Sequence, residues 1–572
     1  MSKVKPYISS GDTIRALIYE AKEKFPTNAA FKVKEKGEIK TITFINMIKD
    51  VETLGTELTA LGLDGNRMGI IGENSYPWYN CFLSIVCGGN VAVPFDKGLT
   101  VEELVQCVQR SDIKVFFYDE KHAATVEQIK AQCADDIKYF RITGEDNDLD
   151  AMRLAGELKM KSGDRSYLER PVNRSDLAVF IFTSGTTSTS KVVMLTHDNI
   201  TSNVVDMHHS MLFFHPDDVN MAFLPFHHAF GLVGVLVFMA AGACAVFCDG
   251  LKYVQKNLQE YGVTVFVGVP LIVESLYNKI MKQVEKQGKM GTVKKGLKIA
   301  AALEKVGIKA RRKIFAEIID KLGGKLKLII CGAASLNEEV GRGLNNFGIT
   351  TVQGYGLTET SPVLAAERPW DLCAGSVGLP MRSVKIVIDS PDENGIGEIV
   401  VWGPNVMHGY YQQPEATDEV IKNGWFYTGD LGRIDEKGRL WICGRKKNVI
   451  VMKNGKNIFP EELETLIGDL PYVSENMIFT REKHNELVLW VKIVYDKTYL
   501  DAQDLDKDAF VDLVKKDLNA INDTLPTYKY VNHFILSEEP MIMTTTMKVK
   551  RNLEMKAIDE KWDETQQYNV TK

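Results

Sequence analysis

The chain has 572 residues, 45% hydrophobic and 25% charged, with a formal net charge of -6. A single hydrophobic core stops growing at roughly 250–300 residues, so two or more domains are expected. The mildly acidic balance excludes a nucleic-acid protein that relies on a general basic field, and leaves room for a local basic pocket that takes a polyphosphate.

Residues 10–65 read as mainly helical, ending in DVETLGTELTALGL with apolar residues at helical spacing. RMGIIGENS is a strand and turn, residues 78–90 a helix and NVAVPFD another strand. The alternation continues through KVFFYD, DLAVFIFTSG (followed by a loop and a helix after Thr196), VTVFVGVP and KLKLIICGA. Strands alternating with helices predict βαβ units and parallel sheets. The run AFGLVGVLVFMAAGACAVFC at 229–248 is long enough to span a bilayer, but Gly242 and the lack of flanking basic clusters favour a buried helix, a break and a buried strand. Residues 271–322 read as helices with a basic face, either solvated or facing phospholipid or an acidic partner. From 384 short strands with Gly turns (KIVID, GEIVVWGP, GRLWICG) predict a small β-rich subdomain to about 443. A smaller mixed region follows, with a helix near 507–522, and Gly444–Asn448 is the best boundary.

Nine cysteines, none in a CxxC pair, predict buried free thiols in a reducing compartment rather than a disulfide framework. The start lacks the apolar core of a signal peptide, which predicts a cytoplasmic protein. Five of the ten histidines (His208, His209, His215, His227, His228) fall close together and read as helix and loop histidines without metal.

Five motifs carry chemistry. Thr183-Ser184-Gly185-Thr186-Thr187 with Lys191 follows a strand and can present N–H groups, hydroxyls and a cation to phosphate oxygens; it is not the P-loop pattern. In Gln353-Gly354-Tyr355-Gly356-Leu357-Thr358-Glu359-Thr360, Tyr355 offers a flat face to a base, Thr358 a donor to phosphate and Glu359 a hard ligand for Mg²⁺. Asp430, in YTGDLG, can accept two ribose hydroxyls. The fourth is Gly444-Arg445-Lys446-Lys447-Asn448 followed by KNGKNIFPEE, and the fifth is Thr544–Arg551.

In this order and spacing the motifs resemble the adenylate-forming superfamily of acyl-CoA synthetases, adenylation domains and luciferases, over roughly residues 10 to 555. The resemblance implies an α/β fold: a large N-terminal domain (1–444) of two α/β layers plus a small β-barrel-like subdomain (about 384–443), and a small mobile α+β C-terminal lid (445–572) hinged near Lys447. It implies that Thr183 to Thr187 wrap the β- and γ-phosphates with Lys191 nearby. The same resemblance implies that Gly332, Ala333, Ala334 and the Gln353–Gly356 segment line adenine, that Thr358 meets the α-phosphate, that Glu359 and Thr183 hold Mg²⁺, and that Asp430 takes the ribose with Arg445 beside it. It implies that His228 lines the carboxylate end of an acyl pocket and that Lys548 offsets the repulsion between carboxylate and α-phosphate. It further implies that turning about Lys447 withdraws Lys548 and brings the Gly455 loop forward for thiol attack.

The implied reaction makes an acyl-AMP from ATP and a carboxylic acid and passes the acyl group to coenzyme A; a medium- to long-chain fatty acid is expected, because the 271–322 insertion resembles bacterial long-chain synthetases. The alternatives are a fatty acyl-AMP ligase serving an acyl carrier protein, and an aryl- or amino-acid adenylating enzyme. Ser188, Ser190 and Val192 depart from the family's Gly, Pro and Gly, and Met547 from its Gly before the lysine, which leaves Lys550 as the alternative to Lys548.

Overall fold

The computed structural model describes residues 10–183, 190–211, 214–452, 456–483, 486–543, 549–561 and 567–570. Two compact units emerge. The first comprises Met1–Gly185, Thr189–Ile386 and Val401–Phe426; the second comprises Thr186–Ser188, Val387–Val400 and Tyr427–Lys572. The second unit thus begins earlier in the chain than residue 445, because strands from the β-rich segment group with it.

The first unit holds two α/β layers. One is a seven-stranded sheet in the order Gly409–Tyr410, Lys191–Thr196, Leu177–Thr183, Val91–Pro94, Arg67–Ile71, Val115–Tyr118, Lys138–Arg141. Its strands from 67 to 141 pair in parallel, as the βαβ alternation predicts. The other is nine-stranded, with Val219–Ala222, Cys244–Phe247, Val265–Gly268, Leu328–Cys331 and Thr350–Gly356 forming its parallel centre. Apolar runs on these strands are buried on both faces, as parallel sheets require.

Two segments correct the sequence expectation. Residues 10–65 are not mainly helical: between the helices Ile14–Lys24 and Phe44–Ala60 lies the hairpin Ala29–Glu35 with Glu38–Thr43. Lys36 and Gly37, at φ +49° and +87°, make the tight left-handed turn that a two-residue hairpin needs. The presumed loop before Thr196 is the strand Lys191–Thr196, antiparallel to Leu177–Thr183.

The 229–248 run is a buried helix, Ala229–Ala240, followed by the strand Cys244–Phe247. Gly242 breaks it at φ +75°, with the Phe25 ring 2.2 Å from where a Cβ would stand. Among the described residues no helix is long and apolar enough to cross a membrane. The basic segment forms helices Pro270–Lys286, Met290–Lys305, Arg311–Ile314 and Ala316–Lys321.

In the second unit, Leu440–Arg445 runs antiparallel to the strand carrying Asp430. A four-stranded sheet follows in the order Val473–Lys483, Glu486–Tyr495, Val531–Ser537, Gln567–Asn569. The helix Lys507–Asn522 packs Phe510, Val514 and Leu518 against Val491 and Phe534 of that sheet in one apolar core.

Candidate functional site

At the end of Leu177–Thr183 the chain turns back so that Thr183 stands opposite Lys191, its hydroxyl donating to the Lys191 carbonyl at 3.4 Å. Ser184, Gly185, Thr186 and Thr187 lie outside the described residues, as do Gly455 and Lys548. The short strand Gly409–Tyr410 pairs with the other edge of Lys191–Thr196. That pairing lays the Tyr410 ring under the Lys191 ammonium, with Nζ 4.4 Å from the ring centroid. The Tyr410 hydroxyl donates to Glu359 Oε1 at 2.9 Å, and the Glu359 carbonyl accepts from the Met407 N–H at 2.8 Å.

Burial, and then the Glu359 carboxylate, raise the Tyr410 phenol above its ordinary pKa, so it remains a donor. An ionised carboxylate offers about four lone-pair sites, so one phenol bond leaves Glu359 with acceptor capacity for a hard cation. Thr358, Glu359 and Thr360 form a short 3₁₀ turn. The Thr360 hydroxyl accepts from the Leu357 N–H at 3.0 Å, and Asn405 Nδ2 donates to the Thr360 carbonyl at 2.7 Å. Tyr410 and Asn405 escaped the sequence reading. Their segment has neither helical nor alternating periodicity, and only its pairing with Lys191–Thr196 brings the phenol to Glu359.

Gly332, Ala333 and Ala334 leave the strand Leu328–Cys331, and Gln353–Gly356 ends its parallel neighbour, with Cys331 opposite Gln353. The first group sits beyond, and the second at, the carboxyl end of a parallel strand, where open α/β sheets bind ligands. Ala333 turns at φ +71°, and Gln353 Oε1 accepts from the Leu336 N–H at 3.0 Å, tying the two segments together.

His227 and His228 come from the turn before the helix Ala229–Ala240, their ring centroids 4.2 Å apart. Asn74 sets this turn: its Nδ2 donates to the Leu224 carbonyl at 2.8 Å and its Oδ1 accepts from the Phe226 N–H at 3.3 Å. Burial, and then the neighbouring His228, hold the His227 pKa below its usual value.

Within the second unit the register places Asp430 opposite Arg445, and Arg445 Nε donates to Asp430 Oδ1 at 2.8 Å. Gly429, at φ +70°, turns the strand just before the nearly buried Asp430. Glu398, also missed from sequence, accepts from the Gly429 N–H at 3.1 Å and from Lys446 Nζ at 2.7 Å. Lys447 lies in the 3₁₀ turn Lys446–Asn448, and Asn448 Nδ2 donates to Glu461 Oε1 at 2.6 Å. A carboxylate and a guanidinium facing each other across a Gly turn suit a polyol flanked by phosphate.

Two α/β layers, and a strand end where Thr183, Lys191, Tyr410 and Glu359 come together, fit the class of AMP-forming, acid-activating enzymes. Residues 18–411 match the family model described as AMP-binding enzyme, and residues 447–565 match that of the AMP-binding enzyme C-terminal domain. The chain belongs to the AMP-binding enzyme family. It is 28% identical to long chain acyl-CoA synthetase 1 of Arabidopsis thaliana, over 93% of this chain and 89% of that protein. It is 30% identical to long-chain-fatty-acid–CoA ligase 5 of Rattus norvegicus, over 76% and 68%. Among solved structures, ATP-bound MatB from Rhodopseudomonas palustris shares the fold with a TM-score of 0.74 at 23% identity, over 96% of this chain and all of that one.

Proposed function

We propose that this chain activates a medium- to long-chain fatty acid with ATP and transfers the acyl group to coenzyme A. A carboxylate oxygen attacks the α-phosphorus, the bond from that phosphorus to the bridging oxygen breaks, and pyrophosphate leaves. The coenzyme A thiolate then attacks the acyl carbon of the acyl-AMP, and AMP departs. The naming of its relatives as long-chain acyl-CoA synthetases and ligases supports the substrate class.

The observation that carries the reading is the Lys191–Tyr410–Glu359 arrangement beside Thr183. Three separate segments build it, and a turn without a ligand has no need of such cross-bracing. Mg²⁺, when bound with ATP, supplies charge neutralisation; Glu359, held by a phenol that stays protonated, and the Thr183 hydroxyl fit a hard, oxygen-seeking cation. In this reading Thr358 donates to the α-phosphate, Tyr355 flanks adenine, and Asp430, oriented by Arg445, accepts from the ribose hydroxyls. His228 lines the carboxylate end of the acyl pocket. Lys548 offsets charge during adenylation, and rotation of a lid about Lys447 opens the route for the thiol.

The helix Met290–Lys305 supports a further part of the reading, peripheral contact with anionic lipid. It exposes Lys294, Lys295 and Lys298 beside an exposed Ile299, and Val306 and Ile308 follow it, also exposed. Basic side chains around apolar ones suit a membrane surface. Co-sedimentation with phosphatidylglycerol vesicles, absent with phosphatidylcholine alone, is the expected result for this part.

The test of the activity is pyrophosphate release screened over carboxylic acids with and without coenzyme A. Release that is strongest with fatty acids of medium to long chain, and thioester formation only with coenzyme A, is expected. Release with aryl or amino acids alone overturns the substrate class. Acyl-AMP that accumulates unchanged with coenzyme A present, and is consumed by a phosphopantetheine carrier protein, overturns the acceptor.

A further inference from the structure

We propose that Asp96, His227 and His228 form a binding site for one borderline divalent transition-metal ion, of which Zn²⁺ is the best chemical match. One donor atom from each of the three side chains lies within 4.8 Å of the others. Among the described residues this is the sole group of three His, Cys, Asp or Glu side chains so arranged.

The geometry favours a shared ion over a hydrogen-bonded pair. His227 Nε2 and Asp96 Oδ1 are 3.3 Å apart, yet this buried nitrogen makes no hydrogen bond. The carboxylate is near enough to accept one but is not aligned for it. Leaving a buried ring nitrogen unsatisfied is costly. Zn²⁺ bonds to imidazole nitrogen and carboxylate oxygen are about 2.0–2.2 Å, so two ligands of a tetrahedral ion stand about 3.3–3.5 Å apart. The 3.3 Å between His227 Nε2 and Asp96 Oδ1 falls in that range, and every donor separation in the group is within 4.8 Å. His228, whose ring meets that of His227 edge-on with centroids 4.2 Å apart, supplies the third donor.

The supports are of the kind such sites need. The Gly98 N–H donates to Asp96 Oδ1 at 2.8 Å and fixes the carboxylate. Asn74 fixes the chain just ahead of His227 through the Leu224 carbonyl and the Phe226 N–H. Lys97, the nearest ammonium in sequence, is paired with Glu73, so its charge is partly offset. Two imidazoles and one carboxylate are a recurrent Zn²⁺ set, with a fourth position open to water or a ligand oxygen. A metal here would staple the 95–98 segment to the turn before the helix Ala229–Ala240. Asp96 lies more than 120 residues before the two adjacent histidines in sequence, and for that reason the histidine cluster alone reads as metal-free.

The test uses the full chain, freed of metal by a chelator and titrated with Zn²⁺ or Co²⁺ alone, without ATP or fatty acid. One equivalent of Co²⁺ should bind with the strong visible absorption of a tetrahedral site, and Zn²⁺ should displace it. Asp96→Asn and His227→Asn should each lose that absorption and weaken Zn²⁺ binding at least about 10-fold, in line with loss of a ligand or its partner. His209→Asn should keep both. Zn²⁺ should raise the melting temperature of the parent chain and leave that of Asp96→Asn unchanged, a readout that survives if His227→Asn folds poorly. No stoichiometric binding, or equal binding by the parent and Asp96→Asn, overturns the proposal. Because no readout needs turnover, its failure is separate from any failure of the acyl-CoA synthetase reading.

Discussion

The Tyr410 hydroxyl donates to Glu359 Oε1 at 2.9 Å, while the same ring lies 4.4 Å under the Lys191 ammonium, so one aromatic side chain holds both a carboxylate and a cation. A hydrogen bond to a charged group contributes about 1.5–3 kcal/mol. Tyr410→Phe keeps the ring under Lys191 and deletes only the bond to Glu359. It should lower kcat/KM for ATP by roughly 10- to 100-fold and raise the Mg²⁺ concentration for half-maximal rate. Glu359→Gln should do more on both counts. Steady-state pyrophosphate release against Mg²⁺ checks this; a Tyr410→Phe curve that overlays the parent removes the phenol from the site.

The described residues on either side of the expected catalytic lysine are tied to each other. Met543 and Val549 form an antiparallel bridge, and the Lys550 N–H donates to the Ile542 carbonyl at 2.8 Å. Arg551 then grips Glu464 through Nη2 at 2.6 and 2.5 Å and donates to the Ile478 carbonyl at 3.0 Å. Lys550 therefore sits in the frame of this anchor, at the N-cap of the helix Arg551–Glu560. Lys548→Ala should slow adenylation by roughly 10²–10³ and thioester formation from supplied acyl-AMP much less, as loss of one charge-stabilising donor does. Lys550→Ala should change either step by less than about 5-fold. Single-turnover assays of the two half-reactions decide it; the reverse pattern moves the role to Lys550.

The chain's layers were legible because buried parallel strands write themselves as apolar runs, VFFY, VFVG and LIIC, between helical stretches. The hairpin at 29–43 was not, because its second strand is mostly exposed and carries little apolar alternation. Residues in Gly-flanked motifs stood out: Asp430 and Arg445, both singled out in the sequence, meet at 2.8 Å. Tyr410, Asn405 and Glu398 did not, because each acts through a partner 31 to 51 residues away that only the folded chain brings near. Asp96 and His227 are further apart still, and nothing local marks them as neighbours.

Two buried histidines give the first unit an acid-side weakness. His197 Nδ1 accepts from the Ile14 N–H at 3.2 Å, and His208 Nε2 donates to the Val237 carbonyl at 2.7 Å. Burial pushes each down to about 4 from an ordinary 6.5. Below the unfolded value the unfolded chain binds protons that the folded chain refuses. Stability is therefore complete above about pH 6.5 and falls as the pH drops toward about 4, by on the order of 1.4 kcal/mol per pH unit for each histidine. Below that both states are protonated and the slope vanishes. Chemical denaturation at about pH 7.5 and about pH 5 should show the loss, and His208→Gln should reduce the difference by roughly one proton's worth. A parent chain equally stable at both pH values removes the linkage.

Gly356 and Gly354 flank Tyr355 and make opposite demands. A Cβ on Gly356 would stand 1.8 Å from the Pro362 carbonyl oxygen, backbone that cannot swing aside, because the Val363 N–H donates to Asn203 Oδ1 at 3.1 Å and Asn203 Nδ2 donates to the Val363 carbonyl at 2.6 Å. A Cβ on Gly354 would meet its nearest neighbour, the Ala365 carbonyl oxygen, at 3.5 Å, an ordinary contact. Gly356→Ala must therefore push apart the Thr350–Gly356 and Val363–Ala366 strands, at a cost of about 1–3 kcal/mol in stability, and shift Tyr355 and the Thr358–Thr360 turn with them. Its KM for ATP should rise by 10-fold or more, on the order expected when about 1.4 kcal/mol of binding is lost. Gly354→Ala should fold with a melting temperature within about 2 °C of the parent, the range of a neutral substitution. Thermal unfolding alongside ATP titration separates the two; an Ala at 356 as well tolerated as one at 354 means the strand end yields freely, and the close approach of backbone there has no part in setting Tyr355.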